Sequence, residues 1–390
     1  MRNIKKWLRR GGALLLCGVL SIGLAPRPAA ASDDWQTLYK GELRRLLTDK
    51  TLSPAGDKGA LAVLCDLNLD GVPELLLGEA DSGGNNRAWY EYTITDGKAV
   101  SLPLPGKREG ASLDVQNLKL YFNAATGESK LTAESTRQLS AYNRNFFIYE
   151  YTFNGKKIAE QTVFGYNDID VYTGGQAVTT TSYQCLVDGK LVTVSKSDYQ
   201  KKLADYYKGY ELITDYTPTA ALLQSGGGSY DAGQVDELLQ SYTPCPVKAV
   251  AAETPVKVDG KEMRFDIYNI GGNSYFKLRD LAAAINGTAK QYNVGWDNES
   301  RQVSIEPGKP YQPVTGEQAV PPSDVPCLGK QPPDAYVSFG GQKVEAEKYN
   351  INGNNYFKLR DLAELIDFGV RWNNDNRSIL IDTTVHYSEN

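Results

Sequence analysis

The sequence has few of the residues that most often carry metal or nucleophilic chemistry. Its 390 residues include one histidine, His386, together with five cysteines and two methionines. Copper oxidases and multi-histidine zinc sites need several imidazole ligands, so the histidine count excludes both. The same count argues against Ser-His-Asp and Cys-His catalysis. We therefore expect no copper, no catalytic residues and no enzymatic activity.

The sequence also lacks an apolar run long enough to cross a membrane. Its longest candidate, residues 13–25, falls short of the roughly 20 residues that a spanning helix needs. This run follows a basic segment, and Ala29 and Ala31 then stand at the −3 and −1 positions of a cleavage site. Residues 1–31 are therefore predicted to be a secretory signal peptide. We expect a secreted, extracellular protein that is either released or retained at the cell wall.

Basic charge is scarce in the remainder of the chain. Residues 1–31 contain six basic and no acidic side chains, so their removal shifts the formal net charge from −5 to −11. Phosphate contacts dominate the affinity of proteins for nucleic acids, and an acidic chain without a basic stripe makes few of them. We expect the partner to be cell-wall glycan or another surface protein, and not nucleic acid.

Four cysteines remain after the signal peptide, namely Cys65, Cys185, Cys245 and Cys327. An oxidising compartment permits two disulfides in any of three pairings. Cys245 and Cys327 occupy similar proline-containing contexts, "TPCPVK" and "VPCLGK", which favours their pairing. Cys65 lies in an apolar run, where a buried thiol is the alternative.

The pattern of helical and strand segments predicts an α+β, β-rich fold. Residues 33–220 are predicted to be one α+β domain, in which flanking helices accompany an antiparallel meander with Asp-Gly and Asn-Gly hairpin turns. A linker with a short helix follows at residues 221–254. Two ββαββ modules are expected at residues 255–306 and 335–382. A proline-rich linker at residues 307–334 separates them, and residues 383–390 form a tail.

The two modules are defined by an internal repeat. "YNIGGNSYFKLRDLAAAI", which begins at Tyr268, returns 81 residues later as "YNINGNNYFKLRDLAELI". In each copy a Gly-containing turn predicts a hairpin, and apolar residues at i, i+3, i+4 and i+7 predict a short helix with one core-facing stripe. A V-x-W strand and a closing strand follow. A unit of about 50 residues buries only a marginal core, so we expect the two copies to stack.

The quoted repeats, with Trp296 and Trp372, resemble the copper amine oxidase N-terminal-like stalk module of secreted bacterial proteins. Both copies depart from that family in having Phe-Lys where it has a proline. The resemblance implies an accessory module that binds or spaces. Candidate binding residues are the repeated tyrosines, arginines and tryptophans, namely Tyr275, Arg279, Trp296, Tyr356, Arg360 and Trp372. The alternative is structural, with each arginine stacked on a tryptophan and each tyrosine packed in its strand.

A probable ion site lies in "CDLNLDGVPELLL", which supplies oxygen side chains at Asp66, Asn68, Asp70 and Glu74. Oxygens at alternating positions, followed by a glycine, are typical of calcium loops. The stretch resembles the EF-hand-like loops of dockerin and integrin type. Leu77 replaces the bidentate glutamate of the twelfth position, which predicts weak binding, with a dissociation constant of roughly 10⁻⁴ M, and a structural role. The alternative is an Asx-rich turn whose acids face water.

These features together favour a secreted, non-enzymatic envelope protein that is stabilised by calcium and that binds or spaces through its repeats. One alternative is a glycan hydrolase that uses two carboxylates, from the candidates Glu74, Glu79, Asp81, Asp168 and Asp170. A purely structural spacer is the other alternative.

Overall fold

The computed structural model describes residues 35–49, 60–80, 86–102, 113–114, 117–173, 176–216, 232–314, 324–331, 336–344 and 346–388. The predicted signal peptide lies outside these ranges. The described residues form two compact units, divided between Cys245 and Pro246. They contain 26 strands and five helices, so the predicted β-rich α+β class is confirmed. The helices are α1 (Trp35–Thr48), α2 (Lys196–Tyr206), α3 (Ala232–Ser241), α4 (Leu278–Ala284) and α5 (Leu359–Ile366).

The first unit begins with an antiparallel sheet in the order β1-β2-β3-β4, with β5 paired to β3. Its strands are β1 (Ala60–Cys65), β2 (Glu74–Ala80), β3 (Asn86–Thr95), β4 (Lys98–Leu102) and β5 (Leu113–Asp114). Helices α1 and α3 pack against this sheet. Apolar side chains of the two helices, among them Leu43, Leu46 and Leu238, share one buried core with the strands. That core lies beside the loop from β1 to β2, where the predicted ion site falls.

A seven-stranded antiparallel sheet completes the first unit, in the order β11-β10-β9-β8-β7-β6-β12. Its strands are β6 (Leu118–Asn123), β7 (Glu128–Ser140), β8 (Asn143–Phe153), β9 (Ile158–Thr173), β10 (Gln176–Val187), β11 (Lys190–Val194) and β12 (Glu211–Tyr216). The expected meander is therefore present. Asp188 and Gly189 join β10 to β11 with φ angles of 49° and 75°, as a tight hairpin requires. Helix α2 begins after Ser195, whose side chain accepts the Asp198 N–H as an N-cap.

The second unit contains both copies of the repeat. The first copy and the strand before it supply β13 (Val247–Ala251), β14 (Val256–Val258), β15 (Lys261–Met263), β16 (Ile267–Ile270), β17 (Asn273–Lys277), β18 (Tyr292–Asp297) and β19 (Gln302–Pro307). The second copy and the strand before it supply β20 (Cys327–Gly329), β21 (Tyr336–Phe339), β22 (Gln342–Val344), β23 (Lys348–Ile351), β24 (Asn354–Lys358), β25 (Gly369–Asn373) and β26 (Ser378–Asp382). Each copy has two short strands ahead of the expected ββαββ pattern.

The two copies exchange strands, which goes beyond the stacking that the sequence predicts. Strand β14 of the first copy pairs in parallel with β26 of the second, and β19 pairs in parallel with β21. The repeated hairpins join where β17 meets β24. One hydrophobic core therefore contains the helical stripes of both copies, including Leu281 and Leu362, which are fully buried. The repeats build a single unit, because each copy supplies strands to the other's sheets.

The hairpins also form a six-stranded sheet in the order β20-β13-β16-β17-β24-β23. Main-chain hydrogen bonds of 3.0 and 2.8 Å between Lys330 and Asn350 link its first strand to its last. The sheet thus closes on itself around a small core of tyrosine and aliphatic side chains. This closure places Lys330, which precedes the second repeat, beside the hairpin of that repeat.

Both segments predicted as linkers contain ordered elements. In residues 221–254, the predicted short helix is α3, which packs into the first core, and β13 belongs to the closed sheet of the second unit. The proline-rich segment 307–334 contains buried Tyr311 and strand β20. Residues 217–231, 315–323 and 332–335 lie outside the described ranges. None of the described helices is long and apolar enough to cross a membrane.

Candidate functional site

The predicted ion loop joins β1 to β2 and folds as a tight, self-bonded turn. Residues Leu69 and Gly71 have φ angles of 60° and 92°, in the left-handed region where glycine is favoured. The Asp66 carboxylate accepts the N–H groups of Asp70 at 3.0 Å and of Gly71 at 2.7 Å. The Asn68 amide oxygen accepts the same Asp70 N–H at 3.1 Å. The loop is therefore shaped by side-chain oxygens that face inward, toward its own backbone.

All four predicted ligands lie in this loop or at its end. Asn68 Nδ2 donates to Asp70 Oδ2 at 2.9 Å, and Asp70 Oδ1 accepts the N–H of Val72 at 2.9 Å. Glu74 lies across the loop, where its carboxylate accepts the Leu67 N–H at 2.9 Å. The spacing in the sequence thus identified side chains that are close in space. The hydrogen bonds are those of an Asx-rich turn.

Burial distinguishes this turn from an ordinary surface loop. Asp66 is fully buried and Glu74 is 1% exposed, so the expectation of acids facing water is wrong for these two. Burial raises the pKa of both carboxyl groups above the ordinary range, and the nearby Asp70 charge raises it further. The Thr93 hydroxyl donates to Glu74 at 3.0 Å and ties the loop to β3. The loop therefore keeps its acidic groups in a region from which water is excluded.

A further buried acid, Glu91 on β3, was not found by sequence reasoning. It is fully buried, and neither of its carboxylate oxygens has a hydrogen-bond partner among the described residues. Burial raises its pKa to about 8. Glu91 pairs with Leu76 and lies two residues from Thr93, so it shares a face of the sheet with Glu74. The alternation of "WYEYT" places Glu91 and Thr93 on one face, but that pattern does not reveal which face is buried.

The chemistry of these residues fits calcium. The side chains are hard oxygen donors, and burying ionised carboxylates without a cation costs several kcal/mol each. Glu91 is a further buried carboxyl group in this region, and its oxygens have no hydrogen-bond partner among the described residues. No three acidic, cysteine or histidine side chains of the described residues converge on one point. Calcium here would therefore also need the Asn68 amide and a main-chain carbonyl, as such loops use. Bound calcium would supply the positive charge that these acids lack.

The cysteines near the loop remain thiols. All four of the described cysteines are free, so the preferred pairing of Cys245 with Cys327 is not formed. The Cys245 sulfur lies 3.8 Å from the Tyr216 hydroxyl, which donates to the main-chain carbonyl of Asp66 at 2.8 Å. Cys245 is thus close to the end of β1, where Cys65 is fully buried, as the alternative for that residue predicts.

In the second unit, the repeated tyrosines are not available for stacking on a sugar. Tyr275 is 1% exposed and Tyr356 is 2% exposed, which corrects their assignment as surface binding residues. The Tyr275 hydroxyl donates to Glu347 at 2.6 Å. Both rings pack edge-on against other tyrosines of the closed sheet, Tyr349 and Tyr268 respectively. Their recurrence in the sequence reflects this core.

Two of the other predicted residues, Arg279 and Trp296, line a cleft of about 610 Å³. Three more cationic side chains, Lys277, Arg301 and Lys330, lie along the same walls. The remaining lining residues are small, apolar or amide-bearing, namely Leu278, Val294, Gly295, Val303, Gln331, Asn350, Gly353, Asn354 and Asn355. None of the lining residues that the structure describes is acidic. The cleft is therefore basic in a chain that is acidic overall. We call it the basic cleft.

The matching residues of the second copy have different surroundings. Trp296 is 44% exposed, whereas Trp372 is half-buried and packs against the shared core. Arg360 is half-buried like Arg279, but it does not line the basic cleft. Sequence reasoning missed Lys330, because only the closure of the six-stranded sheet brings it to the cleft.

The candidate carboxylates of the alternative hydrolase whose side chains the structure describes, Glu74, Asp168 and Asp170, are engaged in hydrogen bonds within the protein. Asp168 and Asp170 each accept a hydrogen bond from a threonine hydroxyl of the adjacent strand, at 2.6 and 2.7 Å. Glu74 is buried and hydrogen-bonded within its loop. The side chain of Glu79 and the whole of Asp81 lie outside the described residues.

No family model, curated protein or solved structure matches the chain.

Proposed function

We propose that the protein is a secreted, non-enzymatic binding protein of the cell envelope, whose repeat unit holds the ligand. The basic cleft is the observation that carries this proposal. It is large enough for a ligand, since binding pockets typically measure about 300–1,000 Å³. It also contains an exposed tryptophan and several cationic side chains, which are common anchors in recognition sites. The resemblance of the repeats to stalk modules is consistent with an accessory role of this kind.

The first unit supplies a calcium-stabilised scaffold in this proposal. Asp66, Asn68, Asp70 and Glu74 would hold the ion, because their oxygens occur at the alternating spacing that calcium loops use. The support for this assignment is the burial of Asp66 and Glu74 beside Asp70, whose charge raises the pKa of both carboxyl groups. The ion would stabilise the turn between β1 and β2 and take no part in ligand binding.

The test is co-sedimentation of the full mature chain with purified cell walls, with calcium and with a chelator. We expect the wild-type chain to pellet with the walls. The variant Trp296→Ala should remain largely in the supernatant, because it removes the exposed ring of the cleft. Lys261→Gln is the matched control, since this exposed lysine lies in the same unit outside the cleft. If the wild-type chain does not pellet, wall binding is disproved. Equal pelleting of wild type and Trp296→Ala would show that the basic cleft does not carry it.

A further inference from the structure

We propose that the ligand of the basic cleft is an acidic glycan, a polymer of sugar or polyol units that bear carboxylate or phosphate groups. This inference rests on the proposed function and names the class of ligand. Three kinds of side chain that line the cleft support this choice of ligand, namely cationic side chains, amide side chains and one exposed indole. Each kind matches a different chemical part of an acidic glycan.

The cationic side chains match the negative groups of such a polymer. Arg301 and Lys330 are exposed, and Arg279, the second residue of helix α4, is half-buried. Lys277 is buried and lies 3.7 Å from Asp280, so a ligand reaches it less readily. A concave patch of one sign focuses the electric field and raises the local concentration of ligands of opposite charge. A neutral glycan would gain nothing from this arrangement.

The amides and the indole match the sugar units themselves. Gln331, Asn350, Asn354 and Asn355 line the cleft, and Asn350 Nδ2 donates to Asn355 Oδ1 at 3.4 Å. Gln331 and Asn354 each donate one hydrogen bond within the protein. Since a side-chain amide has two N–H donors and an oxygen with two lone pairs, these residues keep further hydrogen-bonding capacity for sugar hydroxyl groups. The Trp296 ring nitrogen donates to Asn298 Oδ1 at 2.7 Å. Since its polar edge is occupied, Trp296 offers its apolar face, which can pack against the carbon–hydrogen face of a sugar ring. A single exposed tryptophan favours a glycan over a single-stranded nucleic acid, which stacks successive bases on several aromatic rings.

The first copy alone has the open wall that this ligand needs. Gly295 lines the cleft opposite Ser304 on β19, and the second copy has Arg371 and Leu380 at these positions. An added Cβ at Gly295 would lie 2.3 Å from the Ser304 hydroxyl oxygen, so a side chain at this position would displace that hydroxyl. Replacing Ser304 by the leucine of the second copy, and Gly295 by an uncharged glutamine, removes the hydroxyl from this contact. It also places a long side chain in the wall of the cleft.

The experiment is a titration of the full mature chain, followed by tryptophan fluorescence and calorimetry, at 50 and 500 mM salt. The probes are polygalacturonate for carboxylates, polyglycerol phosphate for phosphates, a neutral dextran and a single-stranded oligonucleotide. We expect one or both acidic polymers to bind at low salt and to weaken at high salt, and dextran and the oligonucleotide not to bind. The two acidic probes distinguish the two sources of negative charge.

The variants test whether binding occurs in the basic cleft. Lys330→Gln should weaken binding roughly two- to fivefold at low salt, as expected for loss of one exposed ion pair. Trp296→Ala should weaken it by roughly tenfold, the upper range for one aromatic contact. The double variant Gly295→Gln with Ser304→Leu, which fills the wall without adding charge, should abolish binding, and Lys261→Gln should leave it unchanged. Circular dichroism confirms that each variant is folded.

The outcomes separate this inference from the proposed function. If the wild-type chain pellets with walls but binds neither acidic polymer, the inference is wrong and the proposed function stands. Equal binding of dextran, or tighter binding of the oligonucleotide, would also overturn it. So would acidic-polymer binding that survives unchanged in Lys330→Gln and in the double variant. Failure to pellet with walls, together with binding of an acidic polymer, would overturn the proposed function alone.

Discussion

The acidic loop of the first unit and the basic cleft of the second use charge in opposite ways. In the loop, Asp66 and Glu74 are buried, and backbone N–H groups bond to their oxygens. In the cleft, Arg301 and Lys330 are exposed, and solvent reaches them. The buried carboxyl groups stabilise the fold of their own segment, whereas a partner can reach the exposed cationic side chains. Changes in the loop should therefore alter stability, and changes in the cleft should alter binding.

The largest expected effect is the loss of the Asp66 carboxylate. Asp66→Ala removes the acceptor of the Gly71 N–H and one of the two acceptors of the Asp70 N–H, and a donor left unsatisfied costs about 1–3 kcal/mol. We expect the free energy of unfolding to fall by about 3 kcal/mol in urea denaturation. Asp66→Asn retains one oxygen and should lose about half as much. A loss below about 1 kcal/mol for Asp66→Ala would show that the loop does not depend on these bonds.

A smaller effect should follow from pH at Glu91. The folded state raises the pKa of this group from 4.5 to about 8, so it holds a proton that the unfolded chain releases. Its contribution to stability is complete below pH 4.5 and is lost as pH rises toward 8, by up to about 1.4 kcal/mol per pH unit. Glu91→Gln has no proton to release. At pH 8 we expect this variant to be more stable than the wild type by about 2 kcal/mol.

Urea denaturation of both proteins at pH 5, 6.5 and 8 measures this difference. Asp66 and Glu74 also have raised pKa values, so the wild-type curve contains their contributions. The difference between the two curves reports Glu91 together with its effect on Glu74, whose pKa the Glu91 charge also raises. Parallel curves for the wild type and Glu91→Gln would contradict the assignment of a buried, protonated acid.

Calcium should have an effect of similar or smaller size. A loop with a dissociation constant of roughly 10⁻⁴ M gains about 1.8 kcal/mol of stability at about 2 mM calcium. Thermal unfolding with calcium, magnesium and chelator tests this, and Asp70→Asn should reduce the gain. Equal melting temperatures in calcium and in chelator would mean that hydrogen bonds alone hold the loop.

The smallest effect on stability is expected in the cleft. Lys330→Gln should change the free energy of unfolding by less than about 0.5 kcal/mol, because its side chain is exposed. The same variant weakens binding of an acidic polymer. A large loss of stability in Lys330→Gln would remove the contrast between loop and cleft.

The sequence was sufficient where the pattern is local. The helical stripe of Leu278, Leu281, Ala282 and Ile285 was predicted from its spacing, and all four residues are buried. The Asp-Gly hairpin turns and the clustering of the loop oxygens depend likewise on neighbouring residues. Such features follow from periodicity and turn chemistry, which a single sequence contains.

Features that depend on distant partners were not predictable in the same way. An alternating strand such as β14 does not specify which strand it pairs with, so the exchange between copies was missed. The burial of Tyr275 and Tyr356 follows from closure of the six-stranded sheet. The same closure brings Lys330 to the basic cleft. For Glu91, the neighbouring residues gave no sign that its face of β3 is the inner one.

The strand exchange also limits the order in which the second unit can fold. Val256 lies near the beginning of the unit and pairs with Ile379 near its end. Strand β14 therefore has no β26 to pair with until more than a hundred further residues have been synthesised. During synthesis no single repeat is complete before the last strand has been made. Pairings of such long sequence separation slow folding. Loss or gain of one copy would leave strands without partners, so the two repeats form one indivisible folding unit.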